Sequence, residues 1–297
     1  MLIKLKPSSI LTGLVLTFSL GFSATSSATL VNNVNGLIYD TAIDITWTQD
    51  ANLFKTMADS NTNIVSQIIS ANSGVVHDTP NGSDTVPNSG IYQLSTSDFD
   101  TSTGRMNWWG AQAWTGFLSS NNYGGSSQWR LPTTPLSAQQ IDPFNVTLND
   151  AALIATSDLG ELFYKEMGGI IGSSIATTHN ANYNLFSNME KLQYLYSKRN
   201  HTILIGTRMN TGSYWSDTEY RYPDVTVWDH TYIGSTSYAW YLYAENGGLF
   251  VKSKSEYSYV WAVHPGDVSA IPEPSLIWLF GIGLLGLIGL TRKSNAA

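Results

Sequence analysis

The chain contains no cysteine. Disulfides, thiolate catalysis and Cys-ligated zinc are therefore excluded together, and an oxidising compartment poses no mispairing hazard. Charge is scarce as well, at 12% of residues, and the formal balance is -7. A nucleic-acid partner is excluded on that ground, because its phosphates need a basic face. The five histidines (His77, His179, His201, His230, His264) show no metal-ligand spacing. No Gly-x-Ser-x-Gly elbow and no phosphate loop occurs.

What is abundant is aromatic and small polar. Ten tryptophans, sixteen tyrosines and ten phenylalanines stand among many Ser, Thr, Asn and Gly residues. The two long apolar runs are at the ends. Lys4 and Lys6 precede an apolar stretch from Ile10 to Phe22, and Ser26-Ser27-Ala28 offers small residues for cleavage. Residues 1–28 thus read as a secretory signal helix cut after Ala28, with Ala24 an alternative. At the other end, 275–291 is expected to form a transmembrane helix. At about 1.5 Å per residue it spans roughly 25 Å, a slightly short crossing. Arg292 and Lys293 after it belong on the cytoplasmic side.

Pro272-Glu273-Pro274, the apolar span and Arg292-Lys293 together resemble a PEP-CTERM sorting signal over 270–297. That resemblance implies signal peptidase and exosortase as processing partners in a Gram-negative bacterium. It implies transient anchoring in the inner membrane with the body outside the cytoplasm. Release to the envelope or the exterior would follow, in bacteria that make exopolysaccharide and biofilm.

The body, 29–269, is long enough for one domain with a sizeable core. Residues 70–104 are dominated by Asn, Ser, Thr, Asp and Gly, and read as an extended loop. Ile43, Ile45 and Trp47 alternate with polar residues as in a half-buried strand. "YAWYLYAENGGLFVKSK" reads as a hairpin turning at Asn246-Gly247, and "YSYVWAVHPGD" as a strand stopped by Pro265-Gly266. "NWWGAQAWTGFLSS" reads as a helix begun by Asn107. "SDLGELFYKEMGG" reads as another, capped by Asp158. Short helices early and strands late indicate α+β.

"GLIYDTAIDITWTQDANL", "SSQWRLPTT", "DLGELFYKEMGG", "GSYWSDTEY" and "WAVHPGD" occur in that order. The ordered set resembles the DUF1566 family, the Lcl C-terminal domain, over 36–267. The family's last strand commonly ends Val-Arg-Pro, whereas this one has Val263-His264-Pro265. Trp129-Arg130-Leu131-Pro132 also resembles the string of sulfatase-modifying-factor domains. This implies a C-type-lectin-like fold, a twisted antiparallel sheet with a few short helices. The cysteine chemistry of those enzymes is excluded here.

Trp47, Trp129, Trp215, Trp240 and Trp261 are expected in the core, and Arg130 beside a carboxylate such as Glu161. The stretch from Trp215 to Tyr232 admits two readings. Trp215, Asp217, Glu219, Tyr220, Trp228 and Asp229 would suit a sugar, whose ring stacks on aromatic faces and whose hydroxyls donate to carboxylates. Alternatively the aromatics are core and the acids are solvated. Calcium would want the same oxygens, but no calcium-loop spacing is present, so no cofactor is the first expectation and calcium the weaker alternative. Glu161 and Glu166 lie five apart and diverge on an α-helix, which leaves a carboxylate-pair glycosidase unsupported. The reading that follows is a non-enzymatic exported protein binding extracellular polysaccharide. Its rivals are a carbohydrate-active or modifying enzyme using Asp217, Glu219 or Asp229, and a self-associating structural envelope protein.

Overall fold

A computed structural model describes residues 30–33, 35–135, 151–189, 212–221, 225–227, 230–232 and 236–268. The signal segment with Ala28, the sorting residues 270–297 with the helix expected at 275–291, and Trp228 and Asp229 lie outside the described residues. Among the described residues no helix is long and apolar enough to cross a membrane.

The architecture is α+β with antiparallel sheets. The first sheet runs in the order β1 (Leu30–Asn33), β2 (Leu37–Asp40), β3 (Ile45–Thr48) and a closing strand from the far end of the body. That strand, β13 (Val263–Pro265), sets Val263 opposite Trp47, which in turn faces Ile38 of β2. The expected alternation in β3 is lost. All four of its residues are buried, because Thr46 and Thr48 are covered too, Thr46 donating its hydroxyl to the Gly266 carbonyl at 2.7 Å.

Helix α1 (Leu53–Ser60) and helix α2 (Ile64–Ala71) follow. Ile64 and Ile68 of α2, four apart and hence on one face, are buried where it packs on α3 (Trp108–Ser120). Asn107 caps α3 as its sequence requires, its side-chain oxygen accepting from the Gly110 N–H.

The polar stretch 70–104 carries short paired strands rather than one extended loop. β4 (Val75–His77) pairs with β5 (Ile91–Gln93), and β6 (Phe99–Asp100) with β7 (Arg105–Met106). Side chains supply what apolar burial cannot. Asp84 accepts from the N–H groups of Asn81 and Gly90. Asp98 accepts from the Ser95 N–H, the Tyr92 hydroxyl and the Asn107 amide.

The second sheet is β12 (Gly248–Ser253), β11 (Tyr238–Tyr243) and β8 (Ser213–Tyr220), in that order. The β11–β12 hairpin turns at Asn246-Gly247, where Gly247 takes a φ of +70° that a side chain would strain. Between β8 and β11, β9 (Val225–Val227) pairs with β10 (His230–Tyr232). The segment before β13 stitches the sheets together. Trp215 N–H donates to the Tyr259 carbonyl, and Arg130 exchanges backbone bonds with Val263.

Two apolar clusters result. One gathers Trp47, Trp240 and Trp261 with Leu162, Phe163 and Met167; the other gathers Trp108, Trp109, Trp114, Trp129 and Trp215 with Phe54 and Leu131. All five tryptophans expected in the core are there.

Candidate functional site

Strand β8 holds most of the residues that the sugar reading needs. Trp215 is completely buried, and its indole N–H donates to the Met106 carbonyl at 3.0 Å. The Lys252 ammonium sits 4.9 Å from its ring centroid. Tyr220 is also buried, edge-on to Trp240 at 5.5 Å. Neither ring offers a face to a ligand, which corrects the reading of both as surface stacking residues. The strand is covered on both sides, so its aromatics belong to the two cores.

Asp217 and Glu219 have separate surroundings. Burial pushes the Asp217 carboxyl up to about 6, against the Thr218 hydroxyl and the Arg130 guanidinium, which favour its charged form. Glu219 accepts from the Thr79 N–H at 3.1 Å and lies 3.5 Å from the Lys254 ammonium. Lys254 is fully buried and donates to Asp78 at 2.6 Å. Glu219 is thus a structural partner that helps tie 70–104 to the sheet.

Arg130 pairs with Asp158 at 3.0 Å, not with Glu161. Asp158 also accepts from the Thr133 N–H and hydroxyl, which joins the Trp-Arg-Leu-Pro-Thr string to the next helix. Asp158 does not cap that helix. Ser157 does, accepting from the Gly160 N–H at 3.0 Å, and Asp158 is the first helical residue. His264 packs edge-on against Trp129 at 5.8 Å. Leu131 is wholly buried, and the Pro132 carbonyl accepts from the Asp217 N–H at 2.8 Å.

With Asp158 taking the arginine, Glu161 is left in a different place. The helical turn Asp158–Glu161 continues into a π turn, Leu162–Glu166, closed by the Met167 N–H on the Leu162 carbonyl at 2.9 Å. A bond spanning five residues widens the turn, so side chains five apart share a face. Glu161 and Glu166 therefore converge rather than diverge. Asp40, at the end of β2, meets them, and one oxygen from each of the three lies within 4.8 Å of the others.

All three are buried, with exposures of 0% for Asp40, 2% for Glu161 and 1% for Glu166. Neither oxygen of Glu161 or Glu166, nor Oδ2 of Asp40, has a donor in good hydrogen-bond geometry. The Ile43 N–H and the Trp47 indole lie close enough to the Asp40 carboxyl to favour its charged form, and the Asp40 and Glu161 carboxyls are close enough to share a proton. The remaining Asp40 oxygen accepts from the Ala42 N–H at 2.9 Å. Burial raises the Glu161 carboxyl to about 8, helped by the Asp40 and Glu166 charges and opposed by Lys165. Burial likewise raises Asp40 and Glu166.

The cluster's effect on stability is visible in a narrow window. A carboxyl raised from the ordinary 4.5 to about 8 binds more protons folded than unfolded between those values. Stability contributed by that proton is complete below 4.5 and is lost as pH rises through 8. Asp217 acts in the same sense but has titrated by about 6, and His264, depressed by burial, acts in the opposite sense below its ordinary 6.5. Lys252, lowered by burial to about 8, adds stability only above that value. The melting temperature in metal-free buffer is therefore expected to fall between pH 6.5 and 8. Glu161→Gln should flatten the fall, and an equally steep fall in that variant would rule out the cluster as its source.

Sequence reasoning missed this cluster because it treated the segment as an unbroken α-helix. The available signal was that Glu161 and Glu166 adjoin the apolar Leu162, Phe163 and Met167, with few cations to pair them.

Comparison with known proteins bears on the far end of the chain. Residues 270–293 match the family model of the PEP-CTERM protein-sorting motif. The chain carries a PEP-CTERM sorting signal. Its PEP-CTERM tail makes it an exported, envelope-associated protein and an exosortase substrate. No curated protein and no solved structure matches the chain. Nothing in these comparisons supports the likeness of 36–267 to DUF1566 or of the fold to C-type lectins.

Proposed function

We propose that the exosortase-sorted body is a non-enzymatic envelope or matrix protein that binds extracellular polysaccharide. The PEP-CTERM motif at 270–293 carries the reading, because it delivers the chain to the surface where such polymers lie. The DUF1566-like order of motifs over 36–267 is in keeping with it.

The residues best placed for a sugar are on the β11–β12 hairpin rather than on β8. Tyr241, Tyr243 and Phe250 are half-buried, with Phe250 5.9 Å from Tyr241 and 6.3 Å from Tyr243. Phe250 meets Tyr243 edge-on and the Lys252 ammonium stands 4.6 Å from the Tyr241 centroid, so Phe250 and Tyr243 are the rings left for the apolar face of a sugar. Glu245 accepts from the Tyr243 hydroxyl and puts a carboxylate beside them.

The test is a glycan panel, including bacterial exopolysaccharides, probed with the full chain in detergent. Phe250→Ala and Tyr243→Ala are expected to weaken retention at least tenfold while the melting temperature stays within a few degrees. No retention on any glycan would remove the polysaccharide half of the reading and leave export intact.

A further inference from the structure

Three buried carboxylates facing one another with no cation among them are an electrostatic anomaly. Charges of one sign are rarely taken out of water unless a counter-charge arrives. Lys165 opposes the upward shifts of Glu161 and Glu166, yet no ion pair joins it to either. The unpartnered oxygens are Asp40 Oδ2, Glu161 Oε1 and Oε2, and Glu166 Oε1 and Oε2. All belong to side chains more than nine-tenths buried, and one oxygen from each of the three residues lies within 4.8 Å of the other two.

We propose that Asp40, Glu161 and Glu166 hold one calcium ion that bolts β2 to the π turn. The dimensions fit. Ca²⁺ lies about 2.3–2.6 Å from its oxygens, so ligands on opposite sides of it are about 5 Å apart. It takes about six to eight oxygens in flexible geometry, and carboxylates bind it singly or in pairs. One oxygen from each carboxylate is already in place; binding in pairs would bring the three to six, and water supplies any remainder. Mg²⁺ fits worse, because it holds its waters and demands a strict octahedron. Zinc prefers nitrogen and sulfur ligands, and the cluster has neither.

The location sets how the ion enters. The carboxylates are buried on β2 and the helical turn, elements whose Ile38, Leu162 and Met167 belong to the first apolar cluster. The ion therefore goes in as the chain folds and leaves only when that cluster opens. The site stands on geometry alone. The affinity rests on the exported reading: Ca²⁺ modules outside cells bind at about 10⁻⁴–10⁻³ M.

The experiment is to unfold the full chain in detergent and refold it in 5 mM Ca²⁺, 5 mM Mg²⁺ or EGTA. Bound metal is then counted by mass spectrometry after desalting, and thermal unfolding is recorded. About one Ca²⁺ per chain is expected. The melting temperature in Ca²⁺ should exceed that in EGTA by several degrees, with Mg²⁺ close to EGTA. Glu161→Gln, which keeps the shape of the protonated side chain but binds no metal, should abolish most of the calcium increment while its melting temperature in EGTA at neutral pH stays close to that of the wild type. Glu166→Gln should behave alike. A wild-type chain that refolds without bound calcium and melts identically in Ca²⁺ and EGTA overturns the proposal, whatever the variants do. The carboxylates would then share protons instead. Neither result depends on glycan binding, so the fate of the polysaccharide reading is decided separately.

Discussion

Lys254→Ala is expected to destabilise the body by about 3–5 kcal/mol, the usual penalty for breaking a buried ion pair by removing one partner. Lys254 and Asp78 both have side chains with no exposed surface, and their contact is 2.6 Å. Asp78 Oδ2 also accepts from the Trp109 indole at 2.9 Å and the Asn81 amide at 3.1 Å. The Lys254 ammonium stands 4.4 Å from the Trp108 ring centroid and 5.7 Å from that of Trp109. Alanine would leave the Asp78 charge buried with neutral donors alone. Its methyl also fails to fill the space over the two indoles.

The effect is read by urea unfolding and by limited proteolysis. A melting shift on the order of 10 °C follows from a loss of that size. New cleavage between residues 79 and 90 is expected, because Lys254 anchors the start of that segment. The pair Lys254→Met with Asp78→Asn removes both charges and keeps an acceptor for Trp109. It should recover most of the loss. A single Lys254→Ala variant within 1 kcal/mol of the wild type would show that the ion pair is not what holds 70–104 in place.

Trp215→Ala should cost a similar amount, about 3–5 kcal/mol, through the cavity it leaves in the second apolar cluster. Trp215→Phe should cost less, about 1–2 kcal/mol. The Met106 carbonyl that receives the indole N–H also accepts from the Ser258 N–H at 3.0 Å, so phenylalanine leaves no orphaned acceptor. Equilibrium unfolding of both variants, with no ligand present, measures this. A Trp215→Ala chain as stable as the wild type would put the ring outside the core. Loss of glycan binding in that variant would report unfolding rather than a lost sugar contact. Phe250→Ala, at a half-buried ring, is the cleaner probe.

The residues differ in how far their neighbours in sequence determine their place. Asn107 begins a helix because its own side chain satisfies an N–H three residues on, and Asn246-Gly247 turns because glycine accepts a positive φ. The sorting signal at 270–293 is likewise a local string, as is the burial of Trp47, Trp129 and Trp240. Such features were legible because they use contacts within a few residues or the cost of leaving large rings in water.

The tertiary structure decided where the charges go. Lys254 finds Asp78 across 176 residues, and Arg130 takes Asp158 although Glu161 is nearby in sequence. For Trp215 the core and surface readings both stood in the sequence, and its complete burial in β8 decided for the core. Asp40 joins Glu161 and Glu166 only because sheet order brings β2 to the helix and one π turn swings Glu166 round. A charge's partner is set by which chain segments pack together, and a single i→i+5 bond rotates everything after it. Neither is encoded in residue spacing.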